Sequence, residues 1–199
     1  NDKPRSIREF WERIIEKCKK KCKELEINMP TLILEPGRSL VANAGSTLYS
    51  IGSIKDIKNV RTYVSVDGGM TDNIRPSLYQ AGYECAIVNK MNSEKTSHKV
   101  TIAGKCCESG DILISNTSIL DIESGDILIT TSTGAYGYSM ASNYNNNPIP
   151  GVVLVRDGKS AWMVKPQTYE QILQNNVVPD FIWFSDFAKK RLTLEENLW

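Results

Sequence analysis

Several residue types are scarce in this chain, and each scarcity excludes something. Histidine occurs once, at His98. A zinc site built on Cys18 and Cys22, four residues apart, is therefore short of ligands, and no metal is expected. Cysteine is odd in number: Cys18, Cys22, Cys85, Cys106 and Cys107. No secretory signal is visible, so the reading is reduced thiols and a cytoplasmic protein. No apolar run reaches membrane-spanning length, and no membrane partner is expected. Charge of one sign is also lacking, since 24 Lys+Arg against 23 Asp+Glu leave a net +1. No long basic run marks a nucleic-acid partner. The lysines at 17, 19, 20, 21 and 23 sit in a helical pattern with Glu16, Glu24 and Glu26 and read as a solvated helix face.

What is present is ordinary globular material. The chain has 199 residues, 41% hydrophobic and 24% charged, enough for one domain and an added segment. Ser6 to Leu25 shows helical spacing in Ile7, Phe10, Trp11, Ile14, Ile15, Cys18, Cys22 and Leu25, with Ser6 and Glu9 placed for a capping box. After Pro30, the short run Thr31–Leu34 reads as a buried strand, and Ser39–Ala44 as a small helical turn. Beyond Gly45 the pattern changes to short β-rich runs. These are Thr47–Ile54, Thr62–Val66, Cys85–Val88, Lys99–Ala103, Ile112–Ile114, Ile127–Thr131, Val152–Arg156 and Ser160–Val164. Asp157-Gly158 marks a hairpin between the last two. Many short strands imply a β barrel or sandwich. The segments expected are 1–44, a β domain over 45–178, and an apolar tail over 179–199.

One echo stands out. Glu108-Ser109-Gly110-Asp111-Ile112-Leu113-Ile114 returns as Glu123-Ser124-Gly125-Asp126-Ile127-Leu128-Ile129. Gly-Asp-Ile-Leu-Ile reads in both copies as a turn feeding a strand. Only the first copy follows a cysteine pair, which makes it the candidate site.

Four stretches hold groups suited to chemistry. Glu35-Pro36-Gly37-Arg38 joins a strand end to a helical turn through a glycine that lets the backbone approach an anion, with an arginine beside it; a plain strand-to-helix connection is the other reading. The stretch from Asp67 to Tyr79 is a glycine-bearing loop in which Arg75 and Tyr79 are placed to meet a carboxylate, or to serve as surface charge and packing ring. In Cys106-Cys107-Glu108-Ser109-Gly110-Asp111 a thiol stands beside a carboxylate, either a proton donor with an ammonium acceptor or a small buried apolar group. Gly134 to Asn145 contains three tyrosines among small residues and fits a loop over a ligand or a strand with a loose exit.

Taken together and in this order, these motifs resemble the diaminopimelate decarboxylases, fold-type III pyridoxal-phosphate enzymes related to alanine racemase. The resemblance runs from about Asn28 to Asn175. It rests on Glu-Pro-Gly-Arg, on Asp-Gly-Gly followed by Arg-Pro-x-Leu-Tyr, on Cys-Glu-Ser-Gly-Asp, and on Gly-Ala-Tyr followed by Ser-Met-Ala-Ser-x-Tyr-Asn. The Cys-Glu-Ser form points to diaminopimelate rather than ornithine or arginine.

The resemblance implies a mainly β, Greek-key-like barrel or sandwich preceded by the last helix and strand of a (β/α)8 barrel. It implies pyridoxal 5'-phosphate as cofactor and a homodimer whose sites form between the barrel of one subunit and the β domain of the other. The reaction implied turns meso-2,6-diaminopimelate into L-lysine and CO2. Glu35 would hydrogen-bond the pyridine nitrogen, and Gly37 and the Arg38 backbone would hold the phosphate. Arg38, Arg75 and Tyr79 would bind the distal carboxylate of the substrate, and Glu108 its distal ammonium. Tyr136 would touch cofactor and substrate, and Cys107 would protonate the carbon that loses CO2. Cys106 departs from the pattern, standing where a proline or similar residue is expected. The family's Schiff-base lysine lies on an early barrel strand with no counterpart among the residues before Glu35. The expectation is therefore a fragment, inactive alone. Against it stand a non-catalytic binding or oligomerisation module, and a decarboxylase for another basic amino acid.

Overall fold

The computed structural model describes residues 5–91, 97–177 and 179. The first helix, α1 (Ile7–Glu24), starts where its sequence says. Ser6 Oγ accepts the Glu9 N–H at 3.2 Å and Glu9 Oε2 accepts the Ser6 N–H at 2.8 Å, closing the capping box. Lys21 and Lys23 occupy the last turn, where cations favour the helix dipole. The apolar stripe is formed, yet no residue of α1 is buried.

The strand expected at Thr31–Leu34 is absent. The run is irregular, with Ile33 81% and Leu34 45% exposed. An extended apolar segment becomes a strand only when a neighbouring ladder takes up its backbone N–H and C=O groups, and no described strand pairs with it. The following turn forms as expected, as α2 (Arg38–Val41) and a 3-10 turn at Ala42–Ala44.

The β-rich region is a six-stranded sheet built from β1 (Thr47–Ile57), β2 (Arg61–Val66), β3 (Cys85–Ile87), β4 (Ser97–Ala103), β5 (Ile112–Leu120) and β6 (Ile127–Thr130). The order is β3-β6-β1-β2-β4-β5. β2 and β4 run parallel; the other pairs are antiparallel. The sheet curls until its edge strands meet, with the Cys85 thiol facing Thr117 Oγ1 at 4.0 Å. Inside this nearly closed barrel, alternate residues form the core. Val64, Val100, Ile102 and Leu128 are fully buried, joined by Tyr49 and Ile51.

The connections carry the irregular stretches. After β2 comes the loop 67–74 and the short helix α3 (Arg75–Tyr79); after β4 comes the turn 104–111 that enters β5. β5 extends to Leu120, well beyond the Ile112–Ile114 run, because Thr117–Leu120 pairs with β4 after a register shift.

By compactness the chain divides between Pro150 and Gly151. The boundary expected near residue 44 is not where this division falls. In the second unit, β7 (Val152–Arg156) and β8 (Lys159–Val164) form the expected hairpin. Asp157 and Gly158 both take positive φ, 51° and 71°, as a type I′ turn requires. A short helix, α4 (Tyr169–Leu173), follows under a Thr168–Gln171 capping box. The apolar tail expected over 179–199 lies outside the described residues except for Pro179. No helix among the described residues is long and apolar enough to cross a membrane.

Candidate functional site

Two connections and one segment before the barrel converge on a small cluster. Gly37 precedes α2, and a side chain placed there would meet the Tyr136 hydroxyl, its Cβ only 2.7 Å from that oxygen. A side chain at Gly37 would thus have to displace the Tyr136 ring, and the backbone at Gly37 is bare. Tyr136 itself has φ 62°. A left-handed backbone is uncommon for a bulky aromatic residue and is characteristic of sites whose surroundings hold it in place.

Arg75 opens α3 and lies against two rings, 5.2 Å from the centroid of Tyr79 and 5.7 Å from that of Tyr136. Such contacts orient the flat guanidinium without using its N–H donors. Its Nε is buried with no hydrogen-bond partner, and the same is true of both polar side-chain atoms of the neighbouring Asn73. Buried orphan donors of this kind are rare and call for a partner. Gly37, Arg75, Tyr79 and Tyr136 are therefore brought together.

Cys107 and Glu108 stand on the adjacent turn. Cys107 is exposed, and its N–H donates to Asn145 Oδ1 at 2.8 Å. Cys106 is turned inward, its sulfur accepting from Asn147 Nδ2 at 3.8 Å. Burial first, then the charge of Asp111, push the Cys106 thiol up. The Glu108 carboxylate accepts the Gly110 N–H at 3.1 Å and the Ser109 hydroxyl at 3.3 Å. The turn is tied to α3, because Ser77 Oγ donates to the Gly110 carbonyl at 2.7 Å. Glu35 and Arg38 are exposed, and among the described residues neither side chain makes a hydrogen bond or ion pair.

Beneath this cluster is a buried polar layer that the sequence reading did not single out. Tyr49 donates its hydroxyl to Asp72, and Asp72 also accepts the Gly69 N–H at 2.7 Å. Burial, then the nearby Asp72, push Tyr49 well up; burial raises Asp72 too, against the hydrogen bonds it accepts. Asp111 accepts from Met70 and Cys106 N–H. The Thr71 carbonyl accepts the Ser142 N–H at 2.9 Å, so the tyrosine-bearing loop joins the same layer. Of these groups only Asp111 left a trace in the sequence, through the repeated Gly-Asp. Tyr49 sits in an ordinary alternating strand, and Asp72 looks like any loop aspartate.

Residues 20–134 match the family described as pyridoxal-dependent decarboxylase, C-terminal sheet domain. The diaminopimelate decarboxylase of Bacillus subtilis is 50% identical over 174 residues, 87% of this chain and 39% of that protein. The diaminopimelate decarboxylase of Synechocystis is 46% identical over 180 residues, 90% of this chain and 38% of that protein. A crystal structure of diaminopimelate decarboxylase from M. jannaschii superposes with a TM-score of 0.78 at 35% identity, covering 86% of this chain and 38% of the other. The same enzyme in complex with L-lysine superposes with a TM-score of 0.75 at 36% identity, covering 83% and 37%. The chain thus spans about two fifths of the length of the curated relatives it matches.

Proposed function

The chain belongs to the family of the pyridoxal-dependent decarboxylases, as their C-terminal sheet domain, and from that premise we propose that it serves the decarboxylation of meso-2,6-diaminopimelate to L-lysine and CO2. In this reading residues 1–44 are the end of a (β/α)8 barrel and 45–178 the β domain. The complete enzyme is a cytoplasmic homodimer, each site built from both subunits.

The observation that supports this best is the Arg75 guanidinium, held against Tyr79 and Tyr136 with a buried Nε that has no partner. A donor fork fixed in that way suits a planar carboxylate. The residues present also fit pyridoxal phosphate. Gly37 is exposed, carries no side chain and lies beside the Tyr136 hydroxyl, and the exposed Glu35 and Arg38 flank it. Glu35 would meet the pyridine nitrogen, Gly37 and Arg38 the phosphate. When bound, the cofactor supplies an electron sink for the bond to the departing carboxylate.

This chain's own groups do the rest. Arg75, with Arg38 and Tyr79, holds the distal carboxylate and so fixes which end of a symmetric-looking substrate enters. Glu108, itself fixed by the Gly110 N–H, reads the distal ammonium. Cys107, exposed on its turn, gives a proton to the carbon that has lost CO2, in the neighbouring subunit's site.

The test is completion. The chain is fused behind the N-terminal portion of the Bacillus subtilis relative, and CO2 release is measured with meso-diaminopimelate, ornithine and arginine. Release from diaminopimelate alone is expected. Release from ornithine or arginine instead would move the substrate, and none from any of the three would overturn the enzymatic reading.

A further inference from the structure

We infer that Asp111 is a positioning residue for this decarboxylation, one buried carboxylate that fixes the spacing between the Arg75 loop and the Cys107 turn. The inference rests on the function proposed above. Asp111 is 3% exposed. Its Oδ1 accepts the Met70 N–H at 2.6 Å, and its Oδ2 accepts the Cys106 N–H at 2.8 Å. Met70 lies on the loop that leads into α3 with Arg75 and Tyr79; Cys106 precedes Cys107 and Glu108. The two connections close on the carboxylate through glycines. A Cβ on Gly69 would lie 2.5 Å from Oδ2, and one on Gly104 would overlap the same group. A direct backbone bond, Lys105 N–H to the Gly68 carbonyl at 3.0 Å, runs alongside.

The internal echo supplies a natural control. Although Gly125 takes φ 88° and Gly110 no positive φ, Asp126 holds the same sequence place in the second copy. Its N–H reaches the Glu123 carbonyl at 3.3 Å, where the Asp111 N–H reaches that of Glu108 at 3.1 Å. It is buried alike, at 5% exposed. Its carboxylate, however, meets Lys90 Nζ at 3.0 Å, Asn89 Nδ2 at 2.9 Å and the Glu123 N–H at 2.7 Å. What sets Asp111 apart is its partners, the N–H groups of two separate loops that both bear proposed site residues. A carboxylate can accept two converging N–H donors; an amide of the same shape presents one acceptor and one donor, and must oppose one of them.

Asp111→Asn and Asp126→Asn are compared in the completed enzyme, below the melting temperature of both, and by amide hydrogen exchange on the 199-residue chain. Asp111→Asn is expected to lower kcat by about 10²-fold, the scale of a small misplacement of reacting groups, and to raise KM. It is also expected to speed exchange in 68–72 and 104–108 together. Asp126→Asn is expected to leave kcat and KM unchanged and to loosen only its own turn. Asp111→Glu, which keeps both oxygens but adds a methylene, is expected to fold and still lose kcat; it decides the matter if Asp111→Asn does not fold. Wild-type kinetics in Asp111→Glu, equal kinetic losses in both asparagine variants, or faster exchange in only one of the two loops would overturn the inference. If the unmutated completed enzyme releases no CO2 from diaminopimelate, the proposed function fails instead. The exchange data then report separately whether Asp111 fixes the two loops.

Discussion

At the residue scale, the two adjacent thiols are distinguished by where they point. Cys106 faces Asn147 and the buried Asp111, while Cys107 is exposed. In the completed enzyme, Cys107→Ala is expected to lower turnover by roughly 10²–10⁴-fold, the range for a positioned acid, and Cys106→Ala to be mild. Steady-state rates on diaminopimelate check this, and the reverse pattern would reassign the donor. Arg75 makes a second case. Arg75→Ala leaves a substrate carboxylate unpaired in a closed site, at a cost of about 2–5 kcal/mol in diaminopimelate binding, with a smaller effect on cofactor affinity. Titrations of each ligand separate the two. Equal losses would move Arg75 to the phosphate. Both residues were legible in the sequence only through their motifs, because spacing alone also fits a surface arginine and a buried small thiol. Contacts with Tyr79 and Tyr136, from elements 61 residues apart in the case of Arg75 and Tyr136, needed the fold.

At the element scale, the second Glu-Ser-Gly-Asp turn gives a pH prediction. Burial works to raise the Asp126 carboxyl, but hydrogen bonds from Asn89, Lys90 and the Glu123 backbone outweigh it and hold it below its ordinary value. Lys90, bonded to Glu123, Asp126 and the Asp121 carbonyl, is shifted up in turn. A carboxyl depressed on folding stabilises the native state above its unfolded value, near 3.9, and that contribution is lost as pH falls through the folded value. Urea midpoints measured from about pH 6 down to pH 3 are expected to fall more steeply for the native chain than for Asp126→Asn; parallel curves would remove Asp126 from the acid transition. Elements differed in how far the sequence foretold them. α1 and the β7–β8 hairpin were fully legible, since a capping box and a Gly with positive φ are local chemistry. β5 outran its apolar run, because pairing with β4 extends a strand whatever its side chains. Thr31–Leu34 fell short for the opposite reason, having no described partner.

At the scale of the whole molecule, the barrel core and α1 stand in contrast. The barrel buries Val64, Ile102 and Leu128 completely, while Ile7, Phe10 and Ile14 on α1 remain 46%, 55% and 39% exposed. A helix without tertiary packing is only marginally stable in water. Hydrogen exchange over residues 7–24 is therefore expected to be fast in this chain and slow in the completed enzyme, while β2, β4 and β6 stay protected in both. Equal protection of α1 in the two would show that it needs no further contact.

The sequence by itself determined the family, the β texture after Gly45, the helix caps and hairpin turn, and the identity of the candidate site residues. These follow from short-range order: periodicity, capping and motif spacing are written along the chain. Only the tertiary structure decided that Gly37 stands against Tyr136, that Arg75 lies against two rings, and that β3 and β5 nearly close the sheet. It alone separated the twin aspartates. Asp111 and Asp126 share one local sequence, yet the fold delivers different donors to each carboxylate, two loop N–H groups in one case and Lys90, Asn89 and the Glu123 N–H in the other.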